Sequence, residues 1–501
     1  MGANDATTKS GTSRQQAVGK TVRLPDAGGS PPSATLRALK VTFEVFFLGY
    51  LFGIAAFSRE FAHLHITVHG IPLFVGELTL LTLTILAAAI HLGRRWRPFD
   101  LDFVAWALLI LLGVGAAFAG RGLLLGFGLA VLRDFALVYY AWFFFLTLAY
   151  LRQGGASARV LGALLIGAAV GSLAEAGRFV TSPSLTWGHA APGFDGMLAW
   201  AAVVIALALP TVDTSFGRRA AAAAAVAVCT FSIYLTAYRT LVAVVAVSVT
   251  AMSIWAGFRG GSSARRFALL LWGWMALMAA VILVPRVAIQ SPPQVVPVNG
   301  PLPIKTALGS ISHRWTGQRF GASPTRLRRD IHEVPDEQSL GARPIPDPQD
   351  WKGSMSFRLG AWRNALVRIE ASPWLGIGYG PQAILFSEDG CDTVPSPTSN
   401  CGTAHNTFLT LAMRMGVPCA LLLCGALGSL LVRSARISTR SSRDLHGDLA
   451  PVAATTALLS FLVFGLASLL FESPYLSSVV WVLAGVVAHG TTPFAPVEPR
   501  P

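Results

Sequence analysis

Residues 101–119 read LDFVAWALLILLGVGAAFA, and this run of 19 residues carries a single charged side chain, Asp102. An α-helix rises about 1.5 Å per residue, so a run of this length crosses a hydrocarbon layer of about 30 Å. The whole chain has the same character, since 53% of its 501 residues are hydrophobic and 13% are charged, with a mean hydropathy of +0.57. This composition excludes a water-soluble enzyme and predicts an all-α polytopic membrane protein.

Apolar runs of similar length recur on both sides of this segment. We place them at 41–57, 73–92, 129–151, 160–176, 197–213, 220–238, 240–258, 267–285, 407–432, 450–471 and 475–489. The pattern predicts about twelve transmembrane helices. It divides the chain into a disordered cytoplasmic tail (1–40), nine helices (41–285), one large outer loop (286–405), three further helices (406–490) and a cytoplasmic C-terminal tail (491–501).

Arginines between the apolar runs predict the orientation. Alternate loops carry fourteen of them: Arg94, Arg95, Arg97, Arg152, Arg159, Arg218, Arg219, Arg259, Arg265, Arg266, Arg433, Arg436, Arg440 and Arg443. The opposite short loops hold little beyond Arg59, Arg121, Arg178 and Arg239. The positive-inside rule then places both termini in the cytoplasm of a bacterial plasma membrane and the loop 286–405 in the periplasm. The net charge of +14 thus reports topology, and nucleic acid is not predicted as a partner.

The large loop has two halves. Ten prolines between 286 and 350 argue against long regular elements there. The second half predicts a helix from Met355 to Glu370, stopped by Ser372-Pro373 and followed by a turn with glycines at 376, 378 and 380. A transporter with twelve helices is the competing class, but such a protein usually joins its halves by a long cytoplasmic linker after helix six, and here that loop has about seven residues. An enzyme acting on a membrane-delivered substrate suits the large outer loop better.

Arg358 falls on the packed face of the predicted loop helix. At 100° per residue it shares a stripe with Trp362, Ala365 and Ile369, while Arg363 and Glu370 point away. A buried arginine needs an anionic partner or a network of acceptors. Both a structural ion pair within the loop and a clamp for an anionic substrate satisfy that need.

Two further groups lie where apolar helices meet the outer boundary. Arg239 stands between two apolar runs with almost no loop, where it either snorkels to the interface or binds a lipid-linked diphosphate through its planar guanidinium. His405 and Asn406 precede an apolar helix, for which Asn406 is a good N-cap. The positive end of a helix dipole favours neutral His405, as a general base requires, although an interfacial cap also explains the pair.

Three segments occur in a characteristic order after Arg239: FRLGAWRNA at 357–365, PWLGIGYG at 373–380 and AHNTFL at 404–409. Together with the long outer loop, this order resembles the O-antigen ligase and polysaccharide polymerase superfamily. The resemblance implies an inverting glycosyltransferase that needs no metal and no cofactor. It would move a glycan from undecaprenyl diphosphate to a glycan or lipid acceptor at the periplasmic face, polymerisation being slightly preferred to ligation.

The resemblance also implies roles for particular residues. His405 would activate the acceptor hydroxyl, and Arg358 and Arg239 would hold the departing diphosphate. Tyr379 and Asn406 are further predicted substrate contacts. Membrane lipids and other polysaccharide-export proteins are the additional partners expected.

Two cysteines stand apart from the apolar helices. Cys391 and Cys401 flank a Pro-Ser-Pro-Thr-Ser-Asn segment in the predicted outer loop. The periplasm is oxidising, so we predict a disulfide between them.

Overall fold

The structure is a computed structural model that describes residues 34–68, 71–92, 102–128, 130–153, 155–181, 195–208, 215–236, 239–259, 262–283, 351–380, 404–440 and 450–491. Within these ranges the chain is almost entirely helical. In chain order the elements are α1 (Ala34–Ala62), β1 (His65–Val68), β2 (Ile71–Phe74), α2 (Val75–Leu92), α3 (Phe103–Leu124), α4 (Ala130–Tyr139), α5 (Trp142–Arg152), α6 (Ser157–Thr181), α7 (Asp195–Ala208), α8 (Phe216–Thr236), α9 (Arg239–Arg259), α10 (Ser262–Leu283), α11 (Trp351–Ala371), α12 (Thr407–Met415), α13 (Val417–Arg440), α14 (Ala450–Gly465) and α15 (Pro474–Thr491). The two strands form an antiparallel hairpin between α1 and α2.

Length and composition make this a multi-pass membrane protein. Among the described residues, nine helical segments are long and apolar enough to cross a membrane, and two shorter apolar helices lie at Gly196–Ala208 and Ala450–Gly465. The all-α polytopic class predicted from hydropathy is therefore confirmed. The count of twelve spans stays a prediction.

Two of the predicted apolar segments contain a turn or a break that hydropathy does not indicate. The segment 129–151 contains a turn at Tyr140 and Ala141, between α4 and α5, and Val131–Arg152 is still a single candidate membrane span. The segment 407–432 is broken at Gly416, whose φ of 88° lies outside the helical range and separates α12 from α13. The prediction of one continuous helix at 407–432 was therefore wrong, because hydropathy reports transfer into hydrocarbon and carries no information about backbone continuity.

Glycines allow α1 and α6 to pack closely. Gly167 and Gly171 are one turn apart on α6, and a Cβ atom on them would lie 2.6 Å from the carbonyl oxygen of Phe52 and 2.5 Å from that of Ala56. Those distances are far shorter than any real Cβ contact, so only glycine fits at either position. Close backbone approach through small residues spaced by four is a standard way for helices to associate in membranes.

The helices α5 and α15 form the centre of the bundle. Phe143–Leu151 and Tyr475–Ala488 are buried all round, and α15 packs against α5 and α14. The outer helices instead expose apolar side chains, such as Trp106 and Ile110 on α3, which are 55% and 50% exposed. Apolar faces of this kind suit contact with lipid, whereas α5 and α15 are shielded from it.

Candidate functional site

The turn that follows α11 docks onto the junction between α12 and α13. Three backbone hydrogen bonds hold it there: Ile377 N–H donates to the Met413 carbonyl (2.8 Å), Gly378 N–H donates to the Arg414 carbonyl (3.0 Å), and Val417 N–H donates to the Pro373 carbonyl (2.8 Å). The end of α11 and the end of α12 are thus fixed relative to each other. This junction places the predicted loop helix beside the segment that carries His405.

Glycine is required on both sides of this junction. Gly376 and Gly416 have φ angles of 64° and 88°, where side chains are strained. A Cβ on Gly376 would lie 2.5 Å from the carbonyl carbon of Arg414, and one on Gly416 would lie 2.2 Å from the carbonyl oxygen of Trp374. The sequence predicted a turn at this glycine-rich segment. The structure adds that the backbone of the turn contacts the backbone at the junction between α12 and α13.

Arg358 lies on the face of α11 that packs against the protein. Ala361 and Ala365 on that face are fully buried, and Arg358 itself is half-buried. Arg363, by contrast, is exposed. The helix and its packed face were both predicted correctly, since α11 contains Met355–Glu370 and ends at Ala371. Among the described residues no carboxylate forms an ion pair with Arg358.

His405 is held in an unusual backbone conformation directly before α12. Its φ is 47°, in the left-handed region that a residue with a side chain rarely adopts. Asn406 follows it as the N-cap, and its Oδ1 accepts from the N–H groups of Phe408 and Leu409, both at 3.1 Å. The predicted cap is therefore confirmed. Strained backbone of this kind concentrates at functional sites, where the surrounding structure stabilises it.

The surroundings of His405 strongly favour its neutral form. Burial of the imidazole lowers its pKa from 6.5 to about 4, and the positive charge of Arg358 contributes in the same direction. Both effects penalise the imidazolium cation. His405 and Arg358 are thus close enough to interact electrostatically, and at neutral pH the imidazole can accept a proton.

An ion pair between α4 and α12 lies next to the junction between α12 and α13. Arg414 Nη1 lies 2.5 Å from Asp134 Oδ1, and the two side chains are only 8% and 19% exposed. The Oδ2 atom of Asp134 also accepts a hydrogen bond from Gly380 N–H at 2.9 Å. Arg414 was not among the site residues predicted from sequence, although an arginine inside an otherwise apolar segment is a signal that a buried partner is needed.

A buried carboxylate lies on the other side of α12. Thr407 Oγ1 donates to Glu472 Oε2 at 3.3 Å and accepts from Leu470 N–H at 2.8 Å, which ties the start of α12 to the loop before α15. Burial raises the pKa of the Glu472 carboxyl, and the nearby charge of Arg414 acts against that rise. Arg414 therefore has acidic groups on two sides, Asp134 from α4 and Glu472 from the loop before α15.

Tyr379 is buried within the docked turn. Its hydroxyl contacts Met415 Sδ at 3.1 Å, and its ring packs against Phe118 with the centroids 6.0 Å apart. These contacts fix the turn against α3 and α12. A role for Tyr379 in substrate binding stays a prediction.

Other predicted residues lie outside what the structure describes. Arg239 is the first residue of α9, but its side chain is outside the described part, as are Cys391 and Cys401 and their predicted disulfide. Within the described ranges, no three His, Cys, Asp or Glu side chains are grouped so that they could hold a metal ion.

Fold and site together define the class of protein. It is a multi-pass membrane protein with a basic and polar site at the ends of its helices. Residues 223–424 match the family model described as O-antigen ligase. The matched stretch contains Arg239, Arg358, Tyr379, His405 and Asn406. The match over this stretch supports the resemblance to the O-antigen ligase and polymerase superfamily. No curated protein matches the chain.

Proposed function

We propose that this protein transfers a glycan from an undecaprenyl-diphosphate donor to an acceptor hydroxyl at the periplasmic face of the plasma membrane. The family match supports activity of the ligase or polymerase type. One observation carries the finer proposal: the His405 imidazole, directly before α12, is neutral and lies near the cation Arg358. A proton acceptor next to a fixed cation is the pair of groups that displacement of a diphosphate requires.

In the proposed reaction, neutral His405 accepts the proton of the acceptor hydroxyl while that oxygen attacks the anomeric carbon of the donor sugar. A new C–O bond forms on one face as the bond from carbon to the diphosphate oxygen breaks on the other. The configuration is inverted, and undecaprenyl diphosphate departs with the bonding electron pair. Arg358 and Arg239 bind the diphosphate and stabilise its growing negative charge.

The electrostatic coupling between Arg358 and His405 links donor binding to the strength of the base. Burial and the charge of Arg358 together lower the His405 pKa to about 4. A diphosphate bound at Arg358 brings negative charge that offsets this effect, so the pKa should rise when the donor binds. The His405 imidazole would then be a stronger base when the donor is bound, and this would favour removal of the proton from the acceptor hydroxyl during transfer.

The orientation of the site rests on the distribution of arginines between the apolar segments. That distribution supports a periplasmic location for α11 and the start of α12. Lipid-linked glycans would reach such a site from the outer leaflet. We favour polymerisation of repeat units over ligation to a lipid acceptor.

The test is an assay with purified protein, a defined undecaprenyl-diphosphate oligosaccharide and, in parallel, a lipid acceptor, followed by mass spectrometry of the products. A new glycosidic bond is expected. His405→Ala should lower transfer by roughly 10² to 10⁴-fold, the usual loss for a general base, while donor binding is retained. The matched control is His65→Ala, which removes an exposed histidine of the β1–β2 hairpin and should leave transfer unchanged.

Two results would contradict the proposal. A folded His405→Ala protein with turnover near that of the unaltered chain would exclude His405 as the base. Absence of any new bond, together with movement of the glycan lipid across a vesicle membrane, would instead identify a transporter.

A further inference from the structure

A cavity of about 540 Å³ lies between α6 and α8, away from the site around His405. That volume falls within the roughly 300 to 1,000 Å³ typical of ligand pockets. Its α6 wall includes Ile166, Val170 and Leu173, which are 58%, 40% and 62% exposed. These residues recur every three or four positions, so they form one apolar stripe along the helix.

The α8 wall is made of small side chains. Six alanines follow one another at 220–225, and four of them line the cavity together with Val228. Alanine projects little beyond the backbone, so space remains between the two helices. Two adjacent arginines, Arg218 and Arg219, line the cavity in the first turn of α8.

The dimensions of the cavity match one leaflet of a bilayer. From Arg218 to Val228 the α8 wall rises ten residues, which is about 15 Å, or half of a hydrocarbon core of about 30 Å. The cationic groups lie at one end of this wall and apolar groups occupy the rest. The positive-inside rule puts that cationic end at the cytoplasmic surface.

We propose that the cavity between α6 and α8 binds an anionic glycerophospholipid of the cytoplasmic leaflet. One acyl chain lies along the alanine wall, and the phosphate is bound by Arg218 and Arg219. Basic pockets between helices on the cytoplasmic side are suited to anionic lipid headgroups. The donor lipid does not fit equally well, because its diphosphate is proposed to lie at Arg358, on the opposite side of the membrane.

The experiment measures lipid binding to the purified full-length protein by native mass spectrometry. Phosphatidylglycerol and phosphatidylcholine with the same acyl chains are compared, and phosphatidylglycerol should bind more tightly. The double variant Arg218→Gln, Arg219→Gln should weaken phosphatidylglycerol binding by about 30-fold. A filling variant, Ala224→Phe, should also weaken it while both arginines are kept.

The matched control is the double variant Arg265→Gln, Arg266→Gln. This second arginine pair is also exposed and adjacent, lies near the start of α10 on the same predicted side, and does not line the cavity. It should leave phosphatidylglycerol binding unchanged. Equal losses in the two double variants would show a general effect of surface charge and overturn the proposal.

A second measurement needs no variant. Phosphatidylglycerol with a photoactivatable acyl chain should cross-link the unaltered protein within 165–173 or 218–228. Cross-links confined to other helices would overturn the proposal, as would equal binding of phosphatidylcholine. If undecaprenyl phosphate binds more tightly than phosphatidylglycerol within 165–173 or 218–228, the assignment to a glycerophospholipid is overturned.

Discussion

Replacing Asp134 with asparagine should destabilise the protein by about 3 kcal/mol. The Asp134–Arg414 pair is buried, with the two side chains 19% and 8% exposed and their charged atoms 2.5 Å apart. Removing one partner of a buried pair typically costs about 3 to 5 kcal/mol, because the other charge remains without compensation. We expect the lower end, since Glu472 also acts on Arg414. Asparagine can still accept the hydrogen bond from Gly380, so the loss reports the charge.

The free energy of unfolding can be measured by titrating the purified protein in mixed micelles with a denaturing detergent. Glu60→Gln is the matched control, because Glu60 pairs with Arg178 at 3.4 Å and both side chains are more than half exposed. Exposed pairs contribute less than about 1 kcal/mol. The double variant Asp134→Asn, Arg414→Met removes both charges of the pair and should recover most of the loss.

The comparison between the two acidic residues decides whether the reasoning holds. If Asp134→Asn lowers stability no more than Glu60→Gln, burial does not determine the cost of breaking the pair. If the double variant is no more stable than Asp134→Asn alone, an uncompensated Arg414 is not the cause of the loss. Either result would refute the electrostatic account of the junction.

Three further predictions concern the site and its orientation. Arg358→Lys should lose most of the transfer activity because an ammonium cannot bind diphosphate through a planar fork, whereas Arg363→Lys on the exposed face should be nearly silent in the same assay; equal effects would contradict the helix-face argument. Asn406→Ala should cost about 1 kcal/mol of stability through the lost cap, with a smaller loss of activity than His405 replacement, as unfolding and transfer assays would show. In cells whose native cysteines have been replaced, a thiol probe that cannot enter the cytoplasm should label Ser323→Cys and not Ser262→Cys, and labelling of the latter would overturn the orientation.

Much of the local structure could be predicted from the sequence. Hydropathy located the apolar helices, because transfer into hydrocarbon depends on composition over about 20 residues. The helical period identified the packed face with Arg358 and the exposed position of Arg363. The cap at Asn406 follows from chemistry within four residues. The family resemblance, carried by three short motifs in order, is supported by the match over 223–424.

Chain breaks inside apolar segments could not be predicted in the same way. Gly416 lies within a hydrophobic run, and glycine occurs in membrane helices without interrupting them. What requires glycine there is the carbonyl oxygen of Trp374, which lies too close for any Cβ. That contact joins residues 42 positions apart and leaves no trace in local composition.

The sequence by itself determined the class of protein, the positions of its helices and the short segments that carry the candidate site, because these depend on the chemistry of neighbouring residues. Only the tertiary structure decided that Arg414 pairs with Asp134 and that Arg358 acts on the pKa of His405. Electrostatic partners are selected by distance in space. Asp134 and Arg414 are 280 residues apart in the chain, and packing of α4 against the α12 junction brings their charges together.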